Sequence, residues 1–216
     1  MRYIEKGEAP DFFVRETEQL PDESSWGDLP CKPALRRHLM CKQGHLCAYC
    51  ERKLDDSNTH IEHIEPQSRY PEKRFDYRNL IASCDGGQAC TSVSEQSAYA
   101  DLDTDSCGHR KGQDYDAGLF LNPTDLPDIG DYFSFDTHSA KIKPSDAWAS
   151  QKAAYTIDLL NLNSAYLCNA RKNARGAFRK AGRNKLQPRL QSMLDQPQPF
   201  ISYLRACYLP RAASAQ

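Results

Sequence analysis

No stretch of the 216 residues approaches the ~20 consecutive apolar positions that a membrane-spanning helix needs. The opening segment, Met1-Arg2-Tyr3-Ile4-Glu5-Lys6, lacks the apolar core of a secretory leader, so the expected location is the cytoplasm. There is no internal repeat, which excludes solenoids and propellers. There is also no strong low-complexity segment, and with 39% hydrophobic and 26% charged residues the chain is not of the disordered class. An even set of cysteines is missing too: there are nine. The odd count argues against a complete disulfide framework, and a reducing compartment disfavours one, leaving a metal site or buried thiols.

Charge is scarce in the sum and uneven in its distribution. The net charge is −1, yet residues 151–216 hold 11 lysines and arginines against two aspartates. A basic final third is a candidate surface for a polyanion, or for an acidic partner. Within it Arg171, Arg175, Arg179 and Arg183 recur every four residues, with Lys172 and Lys180 beside them. On a helix that spacing lines charge along one face and could follow a phosphate backbone. Leu159, Leu162, Tyr166, Ala170, Ala174, Ala177 and Phe178 supply an opposing apolar face.

The pattern predicts an α+β chain in four parts. Residues 1–44 form an extended arm followed by a short helix from Pro33 to Lys42, stopped by Gly44. Residues 45–115 form a compact core with two short strands within 46–65, a short helix or ordered loop at 76–83, and an inserted polar loop at 85–106. Residues 116–150 carry a hairpin, Tyr132 to Phe135 against Lys141 to Lys143. Residues 151–216 are helical, continuous from about Asp146 to Lys185, with further helices after Pro188 and Pro199.

Two segments carry chemistry. Cys47-Ala48-Tyr49-Cys50 presents two thiolates in one turn, enough for half of a tetrahedral metal site. A redox pair is the competing reading, but no helix directly follows. Cys84 and Cys107 are the expected further ligands, with Cys90 as competitor for the fourth place and four unrelated buried thiols as the plain alternative. The second segment is Thr59-His60-Ile61-Glu62-His63-Ile64-Glu65-Pro66. Strand alternation puts His60 and Glu62 on one face and His63 on the other, yet Glu62 and His63 can share a centre where the strand ends. Phosphodiester hydrolysis asks for a base and a cation, and an imidazole beside a carboxylate can provide both.

Glu62-His63-Ile64-x-Pro66, then Arg78-Asn79-Leu80, then Cys107-Gly108-His109-Arg110-Lys111 follow in order. In this the chain resembles the HNH endonuclease family. The resemblance implies a zinc-stapled ββα-metal fold in which Glu62 and His109 bind a catalytic Mg²⁺ or Mn²⁺, His63 is the general base and Asn79 orients it. It also implies structural zinc on Cys47, Cys50, Cys84 and Cys107, with His109 as an alternative to Cys107. Met1–Gly7, Leu46–Glu51, Ile61–Pro66, Cys107–Gly112 and Leu159–Asn163 further resemble the HNH nucleases of Septu and retron-linked anti-phage defence. That implies a PtuA-like ATPase partner and a nucleic acid substrate, DNA or an RNA such as tRNA. In retron versions it also implies a reverse transcriptase with its RNA–DNA product. The 85–106 insertion between the second pair of cysteines departs from that pattern. A zinc-stapled nucleic-acid-binding module without catalysis is the alternative, and it has no use for Glu62, His63 and Asn79 together.

Overall fold

The computed structural model describes residues 1–87, 105–146, 150–182 and 192–209. The elements are α1 (Asp11–Glu18), α2 (Lys32–Lys42), β1 (Thr59–His63), β2 (Leu80–Cys84), α3 (Cys107–Lys111), β3 (Phe133–Phe135), β4 (Ile142–Pro144), α4 (Ser150–Leu159), α5 (Ala165–Gly182) and α6 (Ile201–Tyr208). The fold is α+β, with two separate two-stranded antiparallel sheets, β1–β2 and β3–β4. No helix among the described residues is long and apolar enough to cross a membrane.

The main hydrophobic core runs through nearly the whole chain, from Met1 and Ile4 through Leu35, Leu80 and Phe133 to Leu167 and Tyr203. Several local expectations change because of it. The first 30 residues are not simply an extended arm. They contain α1, whose Phe13 is buried against Tyr77, ring centroids 6.1 Å apart. Eight residues are too few for a stable isolated helix, so this packing holds α1 together. Residues 46–65 contain one strand rather than two. The first apolar run makes only a single bridge, Leu46 to Lys53, because the chain turns at once into the Cys47–Cys50 knuckle. Residues 77–79 form a 3₁₀ turn, but Leu80–Cys84, expected as helix or loop, is the fully buried strand β2. It pairs with β1 in the register His63 to Leu80, Glu62 to Ile81 and Thr59 to Cys84.

Two buried polar side chains stand in for missing ladder partners around β2. The Gln43 amide donates to the Leu46 and Ala82 carbonyls and accepts from the Ala82 N–H. The Lys6 ammonium donates to the carbonyls of Tyr77, Arg78 and Leu80 at 2.6–2.9 Å, and burial lowers its pKa to about 8. Lys6 therefore fixes the turn that carries Asn79, and Gln43 ties β2 to the start of the Cys47–Cys50 knuckle.

The hairpin is present as β3–β4. The helix expected from Asp146 to Lys185 is broken into α4 and α5 at residues 160–164, where Asn161 takes a positive φ of 44°. Leu160 and Leu162 there are fully buried, and Asn161 and Asn163 hydrogen-bond to Asp105 and Ile142. Leu159-Leu160-Asn161-Leu162-Asn163 is thus a packed corner rather than a helical turn. The helix expected after Pro199 is α6. Most of the one expected after Pro188, along with most of the 85–106 insertion and Cys90, lies outside the described residues.

Candidate functional site

The β1–β2 ladder and α3 form a ββα unit, and side chains from it converge at two centres. The first is a thiol cluster. The sulfur atoms of Cys47, Cys50, Cys84 and Cys107, all buried, lie within 4.8 Å of one another, and Cys50 Sγ is 3.7 Å from Cys84 Sγ. A tetrahedral zinc with Zn–S near 2.3 Å would space its sulfurs about 3.8 Å apart, so the donor set and its size both fit. None of the four is in a disulfide. Backbone N–H groups of Arg52 and Cys84 point at Cys50 Sγ and Cys47 Sγ, both at 3.4 Å, as suits thiolate acceptors. Burial raises the Cys47 pKa, but hydrogen bonds from the other three thiols outweigh it and hold that thiol well below its ordinary value. Burial and the same neighbours push Cys107 well above its own. Four buried thiols cannot all ionise without a cation to balance them, and a divalent ion supplies that. Cys107 adopts a positive φ of 59°, held there by its N–H bond to Leu160 O at 2.9 Å.

The second centre lies along the end of β1. Glu62 and His63 line one cavity of 150 Å³ together with Trp26, Pro66 and Gly112. On the other side of the strand His60 Nε2 is 3.4 Å from Glu62 Oε2, and its ring meets the exposed His109 ring edge-on at 4.7 Å. Lys111, 1% exposed, places its ammonium 3.0 Å from Glu62 Oε1. Apart from that ion pair Glu62 Oε1 has no hydrogen-bond partner among the described residues, and His60 Nδ1 is likewise buried without one. The carboxylate lies beside the His60 imidazole and His109 touches His60, while among the described residues only the four cysteines bring three or more ligand atoms together. α3 reaches this close because Gly108 has no side chain. A Cβ there would sit 2.5 Å from Glu62 Oε2 and 2.8 Å from His60 Nε2.

His63 is held from two directions. Its Nε2 lies 3.0 Å from the Arg74 carbonyl, which can only accept, so Nε2 carries the hydrogen and the neutral ring keeps its lone pair on Nδ1. Trp26 packs edge-on against the ring at 4.6 Å. Burial pushes the His63 pKa below the ordinary value, opposed in part by the Arg74 bond and by Glu62. The Asn79 side chain makes no hydrogen bond to His63. Its side chain accepts from the Glu65 N–H at 2.7 Å and donates to the carbonyls of Glu65 and Lys73. It thereby ties the backbone after His63 to the backbone before Arg74.

The arginine stripe is reduced. Arg171 is 3% exposed, donates to Ala140 O and covers the Phe135 ring. Arg175 donates to Thr137 O at 2.6 Å. These two dock α5 on the β3–β4 hairpin, Arg179 is exposed, and Arg183 lies outside the described residues. A four-residue repeat drifts about 40° per step on a 3.6-residue helix. The stripe therefore winds from the core at Arg171 to solvent at Arg179. Gly108, Lys111 and Trp26 were not expected at the second centre, whereas His60 was expected on the strand face of Glu62. The spacing of His60 from Glu62 signals its part, whereas no local pattern signals Trp26.

A ββα unit beside four clustered cysteines, with a Glu-His pair at the end of its first strand, defines a class, and comparison with known proteins agrees. The chain belongs to the HNH endonuclease family. The family described as "HNH endonuclease" matches residues 47–85, which include Cys47, Cys50, Glu62, His63, Asn79 and Cys84. The chain is 30% identical over 186 residues to the "Retron Ec83 putative HNH endonuclease" of Escherichia coli, covering 75% of this chain and 72% of that protein. It is 32% identical over 148 residues to the "Retron Vc95 putative HNH endonuclease" of Vibrio cholerae, covering 65% and 63% respectively. A shorter match, 29% over 92 residues, is to "Septu protein PtuB" of Bacillus thuringiensis, covering 39% of this chain and 34% of that protein.

Proposed function

We propose that the protein is a metal-dependent endonuclease that hydrolyses phosphodiester bonds in DNA, or in RNA such as tRNA. We place it in the cytoplasm as the nuclease effector of an anti-phage defence complex with a PtuA-like ATPase. In a retron setting the complex also holds a reverse transcriptase and its RNA–DNA product. The observation that carries the reading is His63, with Nε2–H committed to the Arg74 carbonyl and Nδ1 without a hydrogen bond among the described residues, lining one cavity with Glu62.

In this reading His63 Nδ1 takes a proton from the attacking water, and the Arg74 carbonyl keeps the ring in the required tautomer. Asn79 positions the backbone on both sides of His63. Glu62 and His109 hold the catalytic ion, and His60 lies against both. Bound there, Mg²⁺ or Mn²⁺ supplies positive charge that offsets the charge developing on the phosphate and the leaving oxygen. Lys111 balances the buried Glu62 carboxylate. Structural zinc sits on Cys47, Cys50, Cys84 and Cys107. Arg179, Lys172 and Lys180, all exposed, remain as phosphate contacts on α5, with Arg175 partly so.

The test is a cleavage assay on plasmid DNA and total RNA with the protein co-purified with its neighbouring ATPase. EDTA should stop cleavage, and Mg²⁺ or Mn²⁺ should restore it. Binding without cleavage of either polymer at any metal concentration would favour the non-catalytic binding module. Gly108→Ala provides an internal check. Its added methyl group displaces the Glu62 carboxylate, so cleavage should fall at least ~10²-fold with zinc content unchanged. Wild-type activity in that variant would remove Glu62 from the mechanism.

A further inference from the structure

Next to the His63 cavity lies a second one of 310 Å³, lined by Trp26, Lys32, Pro33, Arg36 and His60 among others. The two cavities share Trp26 and Ile61, so the indole stands between the Glu62–His63 pair and a basic recess. The cations at the recess are Lys32 and Arg36, the latter also paired with Asp56 Oδ1 at 3.0 Å.

The turn that carries Trp26 is firmly held. Ser25 and Asp28 close it as a capping box, and Lys32 Nζ donates to the Trp26 and Gly27 carbonyls at 3.2 and 2.8 Å. Arg74, whose carbonyl orients His63, also donates from its guanidinium to the Ser24 carbonyl. A half-buried aromatic ring and two cations fit a nucleotide, which has a π-face and a phosphate.

We propose that this recess receives an unpaired nucleotide adjoining the scissile phosphate, its base stacked on Trp26 and its phosphate facing Lys32 and Arg36. The proposal rests on the nuclease reading of the Glu62–His63 centre. The nucleotide has to be unpaired because in a duplex both faces of each base are covered by neighbours. The substrate class is therefore single-stranded nucleic acid, or a loop, bulge or frayed end.

The experiment uses the full chain carrying His63→Ala, to stop cleavage, and Trp148→Phe, which leaves Trp26 as the sole tryptophan. A short single-stranded oligonucleotide, titrated in EDTA, should quench Trp26 emission, and the same sequence as a blunt duplex should not. Trp26→Ala should weaken binding of a labelled strand on the order of 10-fold, and Trp26→Phe should retain most of it. Unchanged Trp26 emission at saturation with the single strand overturns the proposal, as does equal quenching by the duplex. If His63→Ala still cleaves, the nuclease reading of His63 falls while quenching still reports on the recess. If the wild type cleaves and Trp26 emission does not respond, only the recess proposal falls.

Discussion

His63→Ala should reduce cleavage by ~10²–10⁴-fold, the usual cost of removing a positioned general base, with zinc content and folding unchanged. Glu62→Gln should lower the rate and shift the metal dependence as well, because the carboxamide has lost the charge that attracts a cation. Asn79→Ala should fall between wild type and His63→Ala, because it frees the Glu65 and Lys73 backbone without removing the proton acceptor. The pH dependence carries a sign. Burial disfavours the His63 imidazolium, so its pKa lies below the ordinary ~6.5 and the neutral base persists to lower pH. The acid limb of kcat/KM should therefore fall below ~6.5, with activity flat from there to neutrality. Replacing Trp26 by a small polar residue should move that limb upward, by letting water reach the ring. Wild-type rates in a folded His63→Ala protein would withdraw the nuclease assignment from this site.

Cys47→Ala should cost the protein its zinc and much of its stability. Closed four-ligand zinc sites in isolated fingers contribute on the order of 10 kcal/mol of apparent binding free energy, which is folding free energy. Here the site joins the knuckle at 47–50 to the end of β2 and the start of α3, so its loss also frees Gly108 and His109. The melting temperature and soluble yield should drop well below those of Cys207→Ala, whose thiol is outside the cluster. Elemental analysis showing no zinc in well-folded wild-type protein would refute the staple. Cys107→Ala should lose zinc too, and full retention there with loss in Cys90→Ala would transfer the fourth ligand to Cys90.

Much of this protein was legible in its sequence, and what was legible was local. Helix α2, the β3–β4 hairpin and the CxxC turn rest on spacings of a few residues, where periodicity and turn chemistry act directly. The order of Glu62, His63, Asn79 and His109 pointed to one centre because a family resemblance ties them together, not because their spacing does. The choice between Cys90 and Cys107 was open in the sequence. Packing brings Cys107 among the other three thiols, through a backbone bond to Leu160 more than fifty residues away. Helix α1 and strand β2 were misread because short segments take their conformation from what they pack against. Phe13 needs Tyr77, and Leu80–Cys84 needs β1. The arginine repeat looked like one surface because i, i+4 spacing is nearly a full turn. The residual rotation and the hairpin beneath α5 bury Arg171 and expose Arg179. Trp26 reaches His63, and Lys111 reaches Glu62, across nearly forty and fifty residues of chain. No local pattern encodes such contacts, because they exist only once the hydrophobic core has brought the N-terminal turn, the β1–β2 ladder and α3 together.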